Sequence, residues 1–201
     1  MEIKYPEGAT PLEHDAAKGL IPRLTLQSEL NEFEQTNIQF AVEWASKSRK
    51  LKRELVSIEG IKLLHRKMFD LTWKWAGKFR QHETNFGIDW RRIPEELKKL
   101  CDDVVYWEQH KTFQPTETAV RFHHRLVSIH PFPNGNGRVS RLAADLYLEY
   151  RKQPALKWGP SDTLVNNSVD RKEYLASLRE ADRGKYERLI VFAKGKTGES
   201  K

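Results

Sequence analysis

The chain has 201 residues, 38% of them hydrophobic and 31% charged, which fits one globular domain able to bury its own core. Its net charge of +7 suits anionic partners such as nucleotides, nucleic acid or acidic protein faces, and serves solubility equally well. One cysteine, Cys101, excludes an intrachain disulfide and a cysteine-built zinc site and points to a reducing compartment.

The opening residues Met1 to Pro6 hold no apolar run, so no signal peptide is expected. No stretch approaches the ~18 apolar residues of a membrane span, and the expected location is the cytoplasm. Residues 1–27, punctuated by Gly8, Pro11, Gly19 and Pro22, read as an extended lead-in. Ser28 reads as the N-cap of a helix to about Lys50, with Leu30, Phe33, Ile38, Val42 and Ala45 near helical spacing. A second helix starts at Ser57, another N-cap, with Ile61, Leu64, His65, Met68 and Phe69 on one face. Residues 80–92 mix β-formers with turn residues and predict a short β-hairpin or flap. Helices follow over Pro94 to about His110, from Thr116 to His130, and through Val139 to Tyr150. Two more are expected near Asp170 to Ala181 and Tyr186 to Ala193, before a frayed tail at 194–201. The fold class is therefore mostly α, a helical bundle with a small β-hairpin flap, its domain spanning 28–193.

The chemistry concentrates in Ile129-His130-Pro131-Phe132-Pro133-Asn134-Gly135-Asn136-Gly137-Arg138-Val139-Ser140-Arg141. A glycine-rich turn that opens a helix presents unpaired backbone N–H groups and the positive end of the macrodipole, a site suited to phosphates. Gly135 and Gly137 allow close backbone approach, and Asn136 adds an amide donor. Arg138 and Arg141, three apart, reach the same side with guanidinium forks that match phosphate oxygens. His130, just before this cradle, has the ordinary pKa of a general base. A base beside a polyphosphate cradle points to phosphoryl or nucleotidyl transfer. The Gly-Lys-Ser/Thr of a Walker A loop is missing, and the preceding helix argues against a dinucleotide-binding strand–turn–helix.

This run resembles the Fic-family signature at seven fixed positions: His130, Phe132, Gly135, Asn136, Gly137, Arg138 and Arg141. Leu64 to Arg66, Trp73 to Arg80 and Tyr174 to Phe192 are also similar to family elements. The lead-in Gly8 to Arg23 and the run from His130 to Arg138 look most like the bacterial branch called mobile mystery protein B. The resemblance implies a protein adenylyltransferase moving AMP from ATP onto a Ser, Thr or Tyr hydroxyl. His130 would act as general base and Phe132 as the loop's anchor. Asn136 and Arg138 would join His130 in catalysis. Asn134, Gly135, Asn136, Gly137, Arg138 and Arg141 would bind the nucleotide. Thr84, Asn85, Phe86, Gly87 and Ile88 would form the flap that lays the target's segment alongside by strand pairing.

Asn134 departs from the pattern, because the family places a magnesium-binding Asp or Glu there. An amide oxygen ligates a hard cation without supplying charge, so Mg²⁺ binding at Asn134 is weakened. That opens two alternatives: a Doc-like kinase or transferase of another nucleotide, and a non-catalytic nucleotide- or partner-binding module. The glycines that Doc-type loops replace are intact, which favours nucleotidyl transfer.

Of the family's inhibitory Ser/Thr-x-x-x-Glu-Gly/Asn helix, Thr25 to Leu30 matches five positions, and Ser57 to Gly60 holds the last two. Ordinary capping and first-turn charges explain both. The branch resemblance also implies a helix-turn-helix partner and a toxin–antitoxin-like pairing, with an inhibitor in trans as open as one in cis. His123 and His124 lack a metal-binding arrangement and read as packing or surface groups. The six tryptophans read as core, and nucleic-acid contact is not expected.

Overall fold

The computed structural model describes residues 14–24, 26–158 and 169–195. Its helices are α1 (His14–Ala17), α2 (Gln27–Lys47), α3 (Arg49–Glu54), α4 (Ile58–Phe69), α5 (Ile93–Gln109), α6 (Pro115–Ile129), α7 (Asn136–Glu149), α8 (Val169–Ala181) and α9 (Glu187–Ala193). A 3₁₀ turn, Trp90–Arg92, leads into α5. Helix α6 packs between α5 and α7, α2 lies along α4, and α8 pairs with α9. Phe69, Phe122, Phe132 and Tyr147 fill the shared core, each almost wholly removed from water. The motif-bearing turn between α6 and α7 therefore rests on the most buried part of the molecule.

Local signals account for most helix ends. The Ser57 hydroxyl accepts the Gly60 N–H at 3.0 Å and starts α4 as expected. Pro94 and Pro115 each occupy the first turn of their helix, where the missing N–H has no helical partner to lose. The first long helix differs from expectation at both ends. Its N-cap is Leu26 rather than Ser28, and the Glu29 carboxylate accepts the Leu26 N–H at 2.9 Å. It stops at Lys47 because Ser48 takes an extended backbone, and the Ser48 hydroxyl then caps α3 through the Leu51 N–H at 3.2 Å.

The expected β-hairpin is a correction. Residues 81–89 run as bends and irregular chain, and the described residues contain no strand, only an isolated bridge between Leu20 and Trp73. The reason is Arg80. Its buried guanidinium takes the carbonyls of His82 and Ile88, at 2.8 and 2.5 Å, so these groups face one cation instead of a neighbouring strand. The tryptophans also divide: Trp73 and Trp158 are buried, whereas Trp44, Trp75, Trp90 and Trp107 are only partly covered. Of the lead-in, residues 14–24 hold α1 and the Leu20 bridge. Residues 1–13, Thr25 and the tail 196–201 lie outside the described residues.

Candidate active site

Helix α6 ends at His130, whose backbone is left-handed (φ 55°, ψ 59°), and Pro131 prevents the helix from continuing. A side chain in this conformation is strained, and the strain is held by neighbours. Arg80 supplies the hold: its Nε donates to the His130 carbonyl at 2.6 Å, and its own N–H donates to the Pro131 carbonyl at 2.9 Å. From the other side the Gly87 backbone lies so close that a Cβ there would stand 2.6 Å from the His130 Cβ. Enclosed in this way, the imidazole has its pKa lowered to about 4, chiefly by burial and further by the Arg80 charge. A hydrogen bond to the Val127 carbonyl, 3.2 Å from Nδ1, opposes the shift. His130 is neutral at physiological pH, as a proton acceptor must be.

The turn that follows is braced from within. Asn136 receives the Phe132 N–H at 2.9 Å and donates its amide to the Phe132 carbonyl at 2.8 Å, so its side chain closes the loop rather than pointing outward. Phe132 is fully buried and stacks on His65 with ring centroids 3.7 Å apart. His65 accepts the Gly77 N–H at Nδ1 (2.9 Å), which leaves Nε2–H to donate to the Asn134 carbonyl at 3.1 Å. Burial lowers the His65 pKa to about 3 and so keeps this neutral tautomer. Gly135 sits at φ 78°, and a Cβ there would meet the Phe69 ring at 2.6 Å. Only glycine fits that contact and that conformation together.

Helix α7 then begins. Its first intrahelical bond runs from the Val139 N–H to the Gly135 carbonyl (2.9 Å), so the amides of Asn136, Gly137 and Arg138 precede the helical ladder. With the macrodipole behind them they make an anion site. Arg138 lies 4.7 Å over the Phe69 ring and donates to Glu34 of α2 at 2.5 Å. Glu34 also accepts the Trp73 indole N–H at 2.6 Å. Arg141 makes no ion pair among the described residues and lies 5.6 Å from the centroid of the Tyr174 ring.

Asn134 uses its amide oxygen locally, accepting the Gly135 N–H at 2.6 Å and the Arg138 guanidinium at 3.3 Å. That oxygen is uncharged, doubly engaged and beside a cation, so the residues of this turn do not fit a protein-held Mg²⁺. In the expected flap, Thr84 bonds the Phe86 carbonyl, Phe86 is 44% exposed and Ile88 packs partly against the core. His123 and His124 are buried: His123 meets the Tyr174 hydroxyl at 3.1 Å and His124 meets Asp182 at 2.9 Å. Both segments that partly match the inhibitory pattern serve as helix starts, as expected, through Glu29 at Leu26 and Ser57 at Gly60. From the sequence alone Glu34 is passed over, and His65 is placed on the face of the second helix and Arg80 at the start of the expected hairpin, both within family-like elements, without a role in the site for either. Neither residue is set apart by its sequence neighbours, since Glu34 stands among Glu32, Gln35 and Thr36 and Arg80 precedes Gln81, His82 and Glu83.

Residues 55–148 match the model of the Fic/DOC family. The chain is 32% identical over 133 residues to the protein adenylyltransferase fic-1 of Caenorhabditis elegans, covering 64% of this chain and 25% of that protein. It is 26% identical over 170 residues to the protein adenylyltransferase Fic of Nematostella vectensis, covering 83% of this chain and 38% of the relative. The chain thus spans about a quarter to two fifths of these relatives. The solved structure of Fic-1 from C. elegans aligns with a TM-score of 0.61 at 26% identity, over 89% of this chain and 51% of that one. BepC of Bartonella tribocorum, solved with bound AMPPNP, shares the fold with a TM-score of 0.66 at 17% identity, over 94% of this chain and all of that one. The turn between α6 and α7 lies within the stretch of this chain that matches the Fic/DOC family.

Proposed function

We propose that this domain is a protein adenylyltransferase that moves AMP from ATP onto a Ser, Thr or Tyr hydroxyl of another protein. The observation that carries the reading is the placement of a buried, neutral His130 immediately before the phosphate-binding start of α7. His130 takes the proton of the target hydroxyl, and the oxygen attacks the α-phosphate. The bond from the α-phosphate to its bridging oxygen breaks and pyrophosphate leaves. Arg138, Arg141 and the amides of Asn136, Gly137 and Arg138 neutralise the departing charge. Asn136 contributes by holding the loop in shape, and Phe132 by anchoring it. The segment from Thr84 to Ile88, exposed at Asn85, Phe86 and Gly87 and pressed against His130 at Gly87, offers the surface along which the target segment lies. The names of the relatives and the AMPPNP bound by BepC support ATP as the nucleotide. No helix among the described residues is long and apolar enough to cross a membrane, and with a buried, unpaired Cys101 we place the chain in the cytoplasm.

Within the family, the lead-in and the run from His130 to Arg138 favour the mobile mystery protein B branch, with a helix-turn-helix partner as candidate inhibitor. The animal relatives above leave that placement to a binding test with such a partner. Asn134 carries a second reading, transfer of phosphate or of another nucleotide. Incubation of a cell lysate with ATP labelled at the α- or the γ-phosphate, followed by mass spectrometry, separates them. An adenylyl group added by wild type and not by His130→Ala supports the leading reading. A γ-label on the target moves the assignment to a kinase, and equal labelling by His130→Ala sinks both.

A further inference from the structure

Resting on the reading of Arg141 as a phosphate-binding residue, we infer that Tyr174, held by His123, is a positioning residue that aims Arg141 at the nucleotide's outer phosphates. Arg141 projects from the first turns of α7 towards α8 and finds no carboxylate there within ion-pair distance. What it meets is the face of Tyr174, 5.6 Å from the ring centroid, on a side chain that is 5% exposed. The phenol hydroxyl lies 3.1 Å from Nε2 of His123, which is fully buried on α6. Three helices thus converge through one chain of contacts: Arg141 from α7, Tyr174 from α8, His123 from α6.

The polarity of that chain follows from the donor inventory. A guanidinium only donates, so the phenol oxygen beside it presents lone pairs and turns its proton to Nε2. Nε2 then accepts, and the imidazole carries its proton on Nδ1. His123 fits this state: burial, and the Arg141 charge after it, keep its pKa well below the usual value, so the ring is neutral. Its Nδ1 is buried without a well-formed hydrogen bond, the Ser140 carbonyl nearby favouring a proton there. A group that only packed against Trp158, 4.5 Å away between centroids, would be better served by an apolar ring with no nitrogen to strand. The one well-formed polar contact of the imidazole is the one Nε2 makes to Tyr174. The result is a cation held by an aromatic face and an oriented phenol, with Asp145 acting on it only from beyond ion-pair distance and no ion pair for an incoming phosphate to displace.

The test uses Tyr174→Phe, which keeps the ring and its volume, and Tyr174→Leu, which loses both ring and hydroxyl. Two readouts are taken on the full chain: rotation of the Arg141 guanidinium about Nε–Cζ by ¹³C/¹⁵N NMR, and calorimetric binding of ATP and of AMP. The expected result is slow rotation in wild type, severalfold faster in Tyr174→Phe and unrestricted in Tyr174→Leu. ATP affinity falls about fivefold in Tyr174→Phe and about tenfold in Tyr174→Leu, while AMP affinity stays within twofold in both. In an Arg141→Ala background, Tyr174→Phe costs ATP binding nothing further. Unchanged rotation in both variants overturns the inference, as does equal loss of ATP and AMP binding or a full Tyr174→Phe effect without Arg141. Equal binding of ATP and AMP by wild type overturns the phosphate role of Arg141 alone, and the rotation rates then decide whether Tyr174 holds it.

Discussion

Arg138 and Arg141 stand three residues apart on one helix and are held by opposite chemistry. Arg138 looks towards α2 and α4, where Glu34 pairs with it at 2.5 Å and Phe69 lies beneath it. Arg141 looks towards α6 and α8, where a neutral tyrosine backed by a neutral histidine receives it. A phosphate that reaches Arg138 shares the guanidinium with a carboxylate already there, whereas one that reaches Arg141 meets a cation with no ion pair to break, Asp145 acting on it from beyond ion-pair distance. Arg138 thus ties the turn into the core at the expense of some of its charge, and Arg141, in the proposed role, offers its charge to the ligand.

The substitution expected to have the largest effect removes the element on which both arginines depend. Gly135→Ala places a Cβ 2.6 Å from the Phe69 ring in a left-handed backbone, so the turn must move and both arginines with it. A loss of about 3 kcal/mol in urea unfolding and undetectable ATP binding are expected. Retention of wild-type ATP affinity would show that the cradle does not depend on this turn. Next in size is the Arg138 side alone. Glu34→Ala leaves a partly buried guanidinium and the Trp73 indole N–H without their acceptor, and is expected to cost about 2–3 kcal/mol. Glu34→Gln keeps an acceptor for Trp73 and is expected to cost roughly half as much. If both variants melt with wild type, Glu34 is no anchor and the contrast between the two arginines fails.

Asp145 tests the Arg141 side with a smaller effect that depends on pH. It accepts the Trp158 indole N–H at 2.9 Å, and burial pushes its pKa up to about 7, against the opposing pull of Trp158 and Arg141. A carboxyl whose folded pKa lies above its unfolded value holds its proton more tightly when folded. The folded state is therefore favoured at low pH, and that advantage is lost as pH rises through the window from the unfolded pKa of 3.8 to about 7. Asp145→Asn mimics the protonated form, so the variant is expected to match wild type at about pH 4 and to exceed it by roughly 1–2 kcal/mol above pH 8. Chemical denaturation at the two pH values checks this. A deficit for the variant at high pH would mean that Arg141 depends on Asp145 as a counter-ion and is not held by Tyr174.

The two arginines also show what a sequence discloses and what it withholds. The cradle was legible because everything that shapes it is local: Pro131 and Pro133 end one helix, Gly135 turns the chain, and the next helix starts at once. The helices were legible from periodicity and caps, with errors of a few residues where a serine broke a run, as Ser48 does between α2 and α3. Glu34 was not legible as a partner of Arg138, since 104 residues separate them and its own helix gives no sign of which of several glutamates turns inward. Arg80 misled for a related reason. It opens the stretch read as a hairpin, but its guanidinium gathers carbonyls from His82, Ile88 and, 50 residues away, His130. A long-range contact overrode the local β preference of residues 81–89.

The smallest expected effect is the most discriminating for His130. An ordinary histidine base would lose half its activity near pH 6.5 as the imidazole takes up a proton. In this chain burial and the Arg80 charge lower that pKa to about 4, so His130 stays competent down to far lower pH. Between about pH 5 and 8 the protonation of His130 should leave transfer almost unchanged. Any shallow feature near pH 7 then belongs to Asp145, whose charge there acts on Arg141. Running the profile in Asp145→Asn separates the two: the feature near pH 7 disappears and the acid limb near pH 4 remains. An acid limb that stays near 6.5 in both proteins would mean that His130 works from an open, hydrated state, with the Gly87 backbone lifted away from it during turnover.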